Sequence, residues 1–124
     1  MKYLLDTNIL IYAFANQAPA RDFIATHLDH CALSLISYIE TLASPKLSAE
    51  EARKIRLFLS SLPILPITTQ IAEQAIHNRR LHRIKLSENL IAATAQVHDL
   101  ILVSRNIRDF ASLSSKLHNP FDHV

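Results

Sequence analysis

Short apolar runs alternate with longer segments of helical periodicity along this chain. Four such runs, KYLL, CALSLIS, IL and ILVS, lie at residues 2–5, 31–37, 64–65 and 101–104. Strands buried on both faces have this continuous apolar character, and parallel strands need a crossover connection, usually a helix. The alternation therefore predicts an α/β fold, a three-layer α/β/α sandwich with a short, mostly parallel central sheet.

Capping residues and apolar spacing indicate where the helices lie. The clearest helix covers residues 47–63, where Ser48 and Glu51 have the spacing of a capping box. Other helices are expected at residues 7–16, 20–30, 37–44, 68–84, 87–100 and, after a turn, within 105–114. Side chains that favour N-cap positions begin three of them: Thr7, Thr68 or Thr69, and Ser87. The tail at residues 116–124 is expected to add one edge strand.

The chain contains no glycine among its 124 residues. A glycine-rich loop that cradles phosphates is therefore excluded, and with it P-loop and Rossmann-type nucleotide binding. Turns that need a positive φ are expected to use Asn or Asp. The length and the 49% hydrophobic content predict a single domain over residues 1–124 with a real hydrophobic core.

Cysteine use and the apolar runs indicate a cytoplasmic protein. The single cysteine, Cys31, has no internal disulfide partner and is interpreted as a small buried hydrophobe. Asp6 and Asn8 interrupt the first apolar segment, so a secretory signal peptide is not expected. No run approaches the ~18 apolar residues of a membrane span, and no Cys/His cluster has zinc spacing.

Acidic residues occur at comparable places in this layout. Asp6 follows the first strand, Glu40 lies in the helix after the second, and Asp109 follows the turn after ILVS. Glu88 begins the helix before that strand. Groups beyond the carboxyl ends of parallel strands converge on one crevice. Taken singly, an Asp-Thr-Asn segment such as Asp6 to Asn8 is more often a simple helix cap, and each of the other acids also has a structural explanation.

Carboxylates that share a crevice repel one another unless some are protonated or a cation neutralises them. Oxygen ligands favour Mg²⁺ or Mn²⁺ over zinc. Such an ion activates water for attack on a phosphodiester. A basic stretch, HNRRLHRIK at residues 77–85, supplies cations that can meet phosphates, although a solvated helix face explains it equally well.

Several segments in this order resemble the PIN domain, and more closely the small VapC-type toxins of bacterial toxin–antitoxin pairs. The segments are LLDTNILIYAF, ISYIETLA, RRLHRIKLSENLIAATAQVHDLILVSRNIRDF and the closing NPF. The resemblance runs from Met1 to Phe121. It implies a Mg²⁺- or Mn²⁺-dependent endoribonuclease with a three-layer fold. It also implies an RNA substrate, a homodimer, and a cognate antitoxin that occupies the active-site groove.

Transferred residue by residue, the resemblance makes Asp6, Glu40, Glu88 and Asp109 the catalytic acids, with Asp6, Glu88 and Asp109 as metal ligands. The family's fourth position matches either Asn106 or Asp109, and Asp109 is favoured as the acid. Supporting roles fall to Thr7, Asn8, Ser104 and Asn106. RNA contacts are expected from Arg79, Arg80, Arg83, Lys85 and Arg105.

One position departs from the family pattern. Ser87-Glu88 stands where the family more often has Pro-Asp, so the carboxylate reaches about one methylene further. Metal sites tolerate only small displacements, and Mg²⁺ requires near-ideal octahedral geometry. A PIN-like module that binds RNA or protein without efficient cleavage is therefore the alternative hypothesis.

Overall fold

The computed structural model describes residues 1–113 and 116–122. Five strands form one sheet: β1 (Tyr3–Leu5), β2 (Cys31–Ser34), β3 (Ile64–Leu65), β4 (Ile101–Val103) and β5 (Leu117–His118). Seven α-helices are described: α1 (Thr7–Phe14), α2 (Ala18–His27), α3 (Leu35–Leu42), α4 (Ala49–Leu59), α5 (Thr69–Leu81), α6 (Leu86–His98) and α7 (Ile107–Phe110). Two 3-10 turns, Leu28–His30 and Ala111–Leu113, follow α2 and α7.

The strand order is β3-β2-β1-β4-β5, and every pairing is parallel. From β1 the chain adds β2 and β3 on one side of the sheet, and then crosses over to add β4 and β5 on the other side. The strand order therefore reverses direction between β1 and β4, where open α/β sheets form a crevice at their carboxyl ends.

Alternate residues of the central strands enter different cores. Leu4 and Leu102 pack with Ile91 and Phe110 beneath α6 and α7. Leu5 and Val103 pack on the opposite face with residues of α1, α2 and α4. A third cluster joins α5 to the outer side of α6. Helices on both faces of a parallel sheet confirm the predicted three-layer fold.

Several expected boundaries are wrong by a few residues. The second strand ends at Ser34 rather than 37, because the Ser34 hydroxyl accepts from the Ile36 N–H at 3.0 Å and caps α3. Asp6, and not Thr7, caps α1. The cap of α6 is Lys85 instead of Ser87, so this helix begins at Leu86.

The helix expected over residues 68–84 is α5, which has Thr68 as its N-cap and ends at Leu81. His82 is extended, so the end of the basic stretch leaves the helix. The capping box of Ser48 and Glu51, the short β3 and the edge strand β5 are confirmed. Within α5, Ile71 and Ala75 are buried, whereas Ile76 is 52% exposed.

The turns compensate for the missing glycine as predicted. Asn16 (φ 61°) and Asp99 (φ 53°) adopt the left-handed conformation that glycine usually supplies. Cys31 is buried in β2, and this burial raises the pKa of its thiol to about 11. In the part of the chain that is described, no helix is long and apolar enough to cross a membrane.

Candidate functional site

Asp6 lies directly after β1, at the carboxyl edge of the sheet, and only 5% of it is exposed. Its Oδ1 accepts from the Thr7 backbone N–H at 2.8 Å, as expected for a helix cap. Its Oδ2 accepts from the Ser104 hydroxyl at 2.8 Å, because the pairing of β1 with β4 brings the two strand ends together. Both carboxylate oxygens are therefore held from opposite sides.

The environment of Asp6 disfavours its charge. Burial is the main cause that raises the pKa of its carboxyl, and Glu88 and Glu40 add electrostatic repulsion. The hydrogen bonds from Ser104 and Thr7 act in the opposite direction without cancelling the rise. A cation beside Asp6 would offset both the burial and the repulsion.

Glu40 is tied to the same end of the sheet through Thr7. The Thr7 hydroxyl donates to Glu40 Oε1 at 2.7 Å and also lies 3.0 Å from the Ser37 hydroxyl. These contacts join α1 to α3. Ser37 was not predicted as a site residue, although it lies one helical turn before Glu40 and so shares its face.

Glu88 and Asp109 stand on the other side of the crevice with fewer restraints. Glu88 is half-buried in the first turn of α6, and no side-chain hydrogen bond to its carboxylate occurs within residues 1–113 and 116–122. Burial is the main cause that raises the pKa of the Glu88 carboxyl. The charge of Asp109 raises this pKa further, while the charge of Lys85 lowers it. Asp109 is exposed and accepts from Asn106 Nδ2 at 2.6 Å.

Three of the four predicted acids line one crevice. Asp6, Glu40 and Glu88 line a crevice of about 290 Å³ together with Thr7, Asn8, Ile11, Ser87, Ile91 and Asn106. Asp109 lines a neighbouring recess that also contains Glu88. Ser104 connects the two sides, since its hydroxyl donates to Asp6 and accepts from the Asn106 N–H at 2.9 Å.

The donor chemistry of this crevice suits a hard cation, because carboxylate, hydroxyl and amide oxygens surround it. Among the described residues, however, no three His, Cys, Asp or Glu side chains are already arranged around one metal position. Mg²⁺ commonly keeps several waters and uses only one or two carboxylates. The residues present therefore fit a cation held by Asp6 and one further carboxylate, with water completing its coordination.

The five predicted RNA-contact residues fall into three groups. Arg79 and Arg80 border an apolar groove of about 440 Å³ between α5 and α6. Arg83 and Lys85 line the recess beside Glu88 and Asp109.

The third group is Arg105 alone, whose guanidinium stacks over the rings of Phe121 and Tyr12 at 4.3 Å and 5.2 Å from their centroids. Sequence reasoning did not anticipate these two aromatic partners. Phe121 lies far from Tyr12 in the chain, so no local pattern signals the contact.

Comparison with known proteins agrees with this architecture. The family model described as the PIN domain matches residues 3–116. Ribonuclease VapC10 of Mycobacterium tuberculosis is 31% identical over 125 aligned residues, which cover 95% of this chain and 92% of that protein.

Solved structures give the same result. A chain in a toxin–antitoxin complex from Klebsiella pneumoniae superposes with a TM-score of 0.87 and 33% identity, over 98% of this chain and 100% of that one. A chain of VapBC2 from Rickettsia felis, bound to a DNA fragment from its promoter, shares the fold at a TM-score of 0.82 and 24% identity. That alignment covers 96% of this chain and 98% of the other. Because the family model spans nearly the whole chain, this protein belongs to the PIN domain family.

Proposed function

We propose that this protein is a metal-dependent endoribonuclease and the toxin of a type II toxin–antitoxin pair. The observation that carries the proposal is the convergence of Asp6, Glu40 and Glu88 on one crevice, with Asp109 beside it. The similarity to Ribonuclease VapC10 and to a chain of a toxin–antitoxin complex supports it. The proposal treats residues 1–124 as one domain that acts on RNA in the cytoplasm.

Of the three predicted metal ligands, Asp6 and Glu88 line the crevice and would hold Mg²⁺ or Mn²⁺ there, whereas Asp109 lines the adjoining recess and would act through a water of the ion. When bound, the ion lowers the pKa of water and neutralises charge on the phosphodiester. Asp6 supplies a fixed ligand, because Ser104 and the Thr7 N–H orient its carboxylate. Asn106 orients Asp109 in the same way.

Glu40 has a different role in the proposed reaction. Thr7 occupies its Oε1, which leaves Oε2 free to accept the proton of the attacking water. The water oxygen then attacks phosphorus, the bond between phosphorus and the leaving oxygen breaks, and the leaving oxygen takes a proton from solvent. Asn8, which lines the crevice, is proposed to support Asp6. The residues proposed to hold the RNA are the cations Arg79, Arg80, Arg83, Lys85 and Arg105.

The proposed partners are a cognate antitoxin and a second copy of this chain. An antitoxin would inhibit by covering the crevice. The apolar groove between α5 and α6 supports the homodimer, since Ile76 and Leu86 are 52% and 73% exposed beside it. Light scattering at micromolar concentration tests the dimer, and a purely monomeric mass would contradict it.

The experiment that tests the function is cleavage of total RNA by the purified protein in Mg²⁺, in Mn²⁺ and in EDTA. We expect fragments only when a metal is present. The matched control is Asp6→Asn, which keeps the shape of the side chain and should be inactive. Metal-dependent cleavage that persists at the parent rate in Asp6→Asn would assign the activity to a contaminating ribonuclease or to another site.

One observation favours a second candidate function, a PIN-like module that binds RNA or protein and cuts poorly. No three acids of the described chain already surround one metal position, and Glu88 departs from the family's usual Asp. RNA binding that persists in EDTA without any cleavage in either metal would support this candidate. Cleavage gained in Glu88→Asp would then identify the longer side chain as the cause.

A further inference from the structure

A recess with both positive and negative side chains lies next to the acidic crevice. Its volume is about 380 Å³, and its lining residues are Arg83, Ile84, Lys85, Glu88 and Asp109. Glu88 also lines the crevice that contains Asp6. The two cavities are therefore neighbours that share the Glu88 side chain in their linings.

The two cations of this recess are unpaired within the described residues. Neither Arg83 nor Lys85 forms an ion pair or a side-chain hydrogen bond there, although Glu88 and Asp109 line the same space. Some exposed cations elsewhere do have an acidic partner; Lys116, for example, pairs with Asp99 at 2.9 Å. Arg83 and Lys85 are thus available to an anionic ligand.

The local backbone separates these two cations from the rest of the basic stretch. Because α5 ends at Leu81 and His82 is extended, residues 82–85 form a connection that passes beside the crevice. Arg79 and Arg80 remain in the last turn of α5 and border the apolar groove instead. The basic stretch therefore forms two surfaces. Of these, the one with Arg83 and Lys85 adjoins Glu88 and Asp109.

We propose that this recess is a phosphate subsite for single-stranded RNA, which binds the phosphate next to the one that is cleaved. The inference rests on the proposed function and adds the path of the substrate. A strand that crosses Glu88 presents one phosphate to the acidic crevice, where a cation must mediate the contact. The next phosphate lies between Arg83 and Lys85, which bind it directly. The apolar side chain of Ile84 forms the floor beneath the sugar.

The test measures binding of a short fluorescein-labelled single-stranded RNA at one fixed Mg²⁺ concentration. All variants carry Asp6→Asn, so that binding is measured without cleavage. We expect Arg83→Ala and Lys85→Ala each to weaken binding about fivefold. A plot of the logarithm of affinity against the logarithm of salt concentration should also become shallower, by about 0.7 for each cation removed from a phosphate.

The matched control is Lys116→Ala, which removes the same charge at the opposite end of the sheet, before β5. It should change neither affinity nor salt slope, and Arg83→Lys should retain most of the affinity. Equal affinities and slopes for the double variant Arg83→Ala/Lys85→Ala and for Lys116→Ala would overturn the subsite while leaving the nuclease intact. Absence of metal-dependent RNA cleavage by the parent protein would instead count against the proposed function.

Discussion

The two sides of the acidic crevice differ in how firmly they are built. On the side of β1, Asp6 is buried and both of its oxygens accept hydrogen bonds, while Thr7 holds Glu40. On the side of α6, Glu88 is half-buried and has no side-chain hydrogen bond among the described residues. Asp109 is exposed, and within the described part of the chain its one side-chain hydrogen bond comes from Asn106, three residues before it.

This difference indicates that the carboxylates on the two sides have different roles in the proposed metal site. A buried, oriented carboxylate fixes the position of a cation, since its side chain loses little freedom on binding. A flexible carboxylate adjusts its distance to satisfy the geometry that the ion requires. The longer side chain of Glu88, where the family usually has Asp, is easier to accommodate on the flexible side than it would be at Asp6.

The largest expected contrast comes from exchanging carboxylate lengths on the two sides. Asp6→Glu adds a methylene where both oxygens are already held, so we expect cleavage to fall about a hundredfold. Glu88→Asp changes the flexible side, and its rate should remain within about tenfold of the parent. Initial cleavage rates on the same RNA and metal measure both.

Circular dichroism melting must accompany these rates, because overpacking at Asp6 costs about 1–3 kcal/mol of folding free energy. The comparison would be reversed if Glu88→Asp lost more activity than a well-folded Asp6→Glu.

A smaller effect on the cleavage rate is expected when Asp6 keeps its charge but loses a hydrogen bond that orients its carboxylate. Ser104→Ala deletes the donor to Asp6 Oδ2 and the acceptor of the Asn106 N–H. We expect about a tenfold fall in cleavage rate, as for partners that orient metal ligands. The free energy of unfolding should drop by about 1–2 kcal/mol.

The control is Ser60→Ala at the C-cap of α4, where the exposed hydroxyl donates to the Leu57 carbonyl in the last turn of that helix. Equal rates for the two serine variants would show that Asp6 needs no support from β4.

The smallest effect concerns stability in the absence of RNA. Mg²⁺ at about ten times its dissociation constant should stabilise the parent by about 1.4 kcal/mol, or roughly 5 °C in melting temperature. Asp6→Asn should abolish this shift, and Glu88→Gln should only reduce it. Differential scanning fluorimetry with and without EDTA measures each shift.

The same experiment checks the cost of the buried charge. Because burial and nearby acids raise the pKa of Asp6, its ionised form destabilises the metal-free fold at neutral pH. Metal-free Asp6→Asn should therefore melt at or above the temperature of the parent. A parent that is more stable than Asp6→Asn in EDTA would contradict this account.

Much of the site was predictable because its acids occupy simple positions relative to the strands. Asp6 follows β1 and Glu40 lies in the helix after β2, so the parallel pairing predicted for these strands places both at one edge. The role of Ser37 was not predictable in the same way. A buried serine in an apolar helix is ordinary, and only the packing of α1 against α3 shows that it meets Thr7.

The separation of the basic stretch into two surfaces could not be predicted from the local sequence either. No proline or glycine marks the end of α5, and the sequence pattern continued the helix to residue 84. The start of α6 at Leu86 and its packing against α5 require the connection at residues 82–85. Which cations face the acids and which border the apolar groove therefore depends on how the two helices pack.

Local periodicity and short-range caps encode the alternation of strands and helices and the three-layer class, so both were predictable, as were the positions of the acids relative to the strands. The fold as a whole is needed to show that Ser104 bonds Asp6 from 98 residues away, that Glu88 lines two cavities, and that Arg105 stacks on distant rings. Those contacts follow from the placement of β4 beside β1. Such a non-local pairing depends on the packing of the whole core. The sequence of neither strand alone therefore identifies its partner.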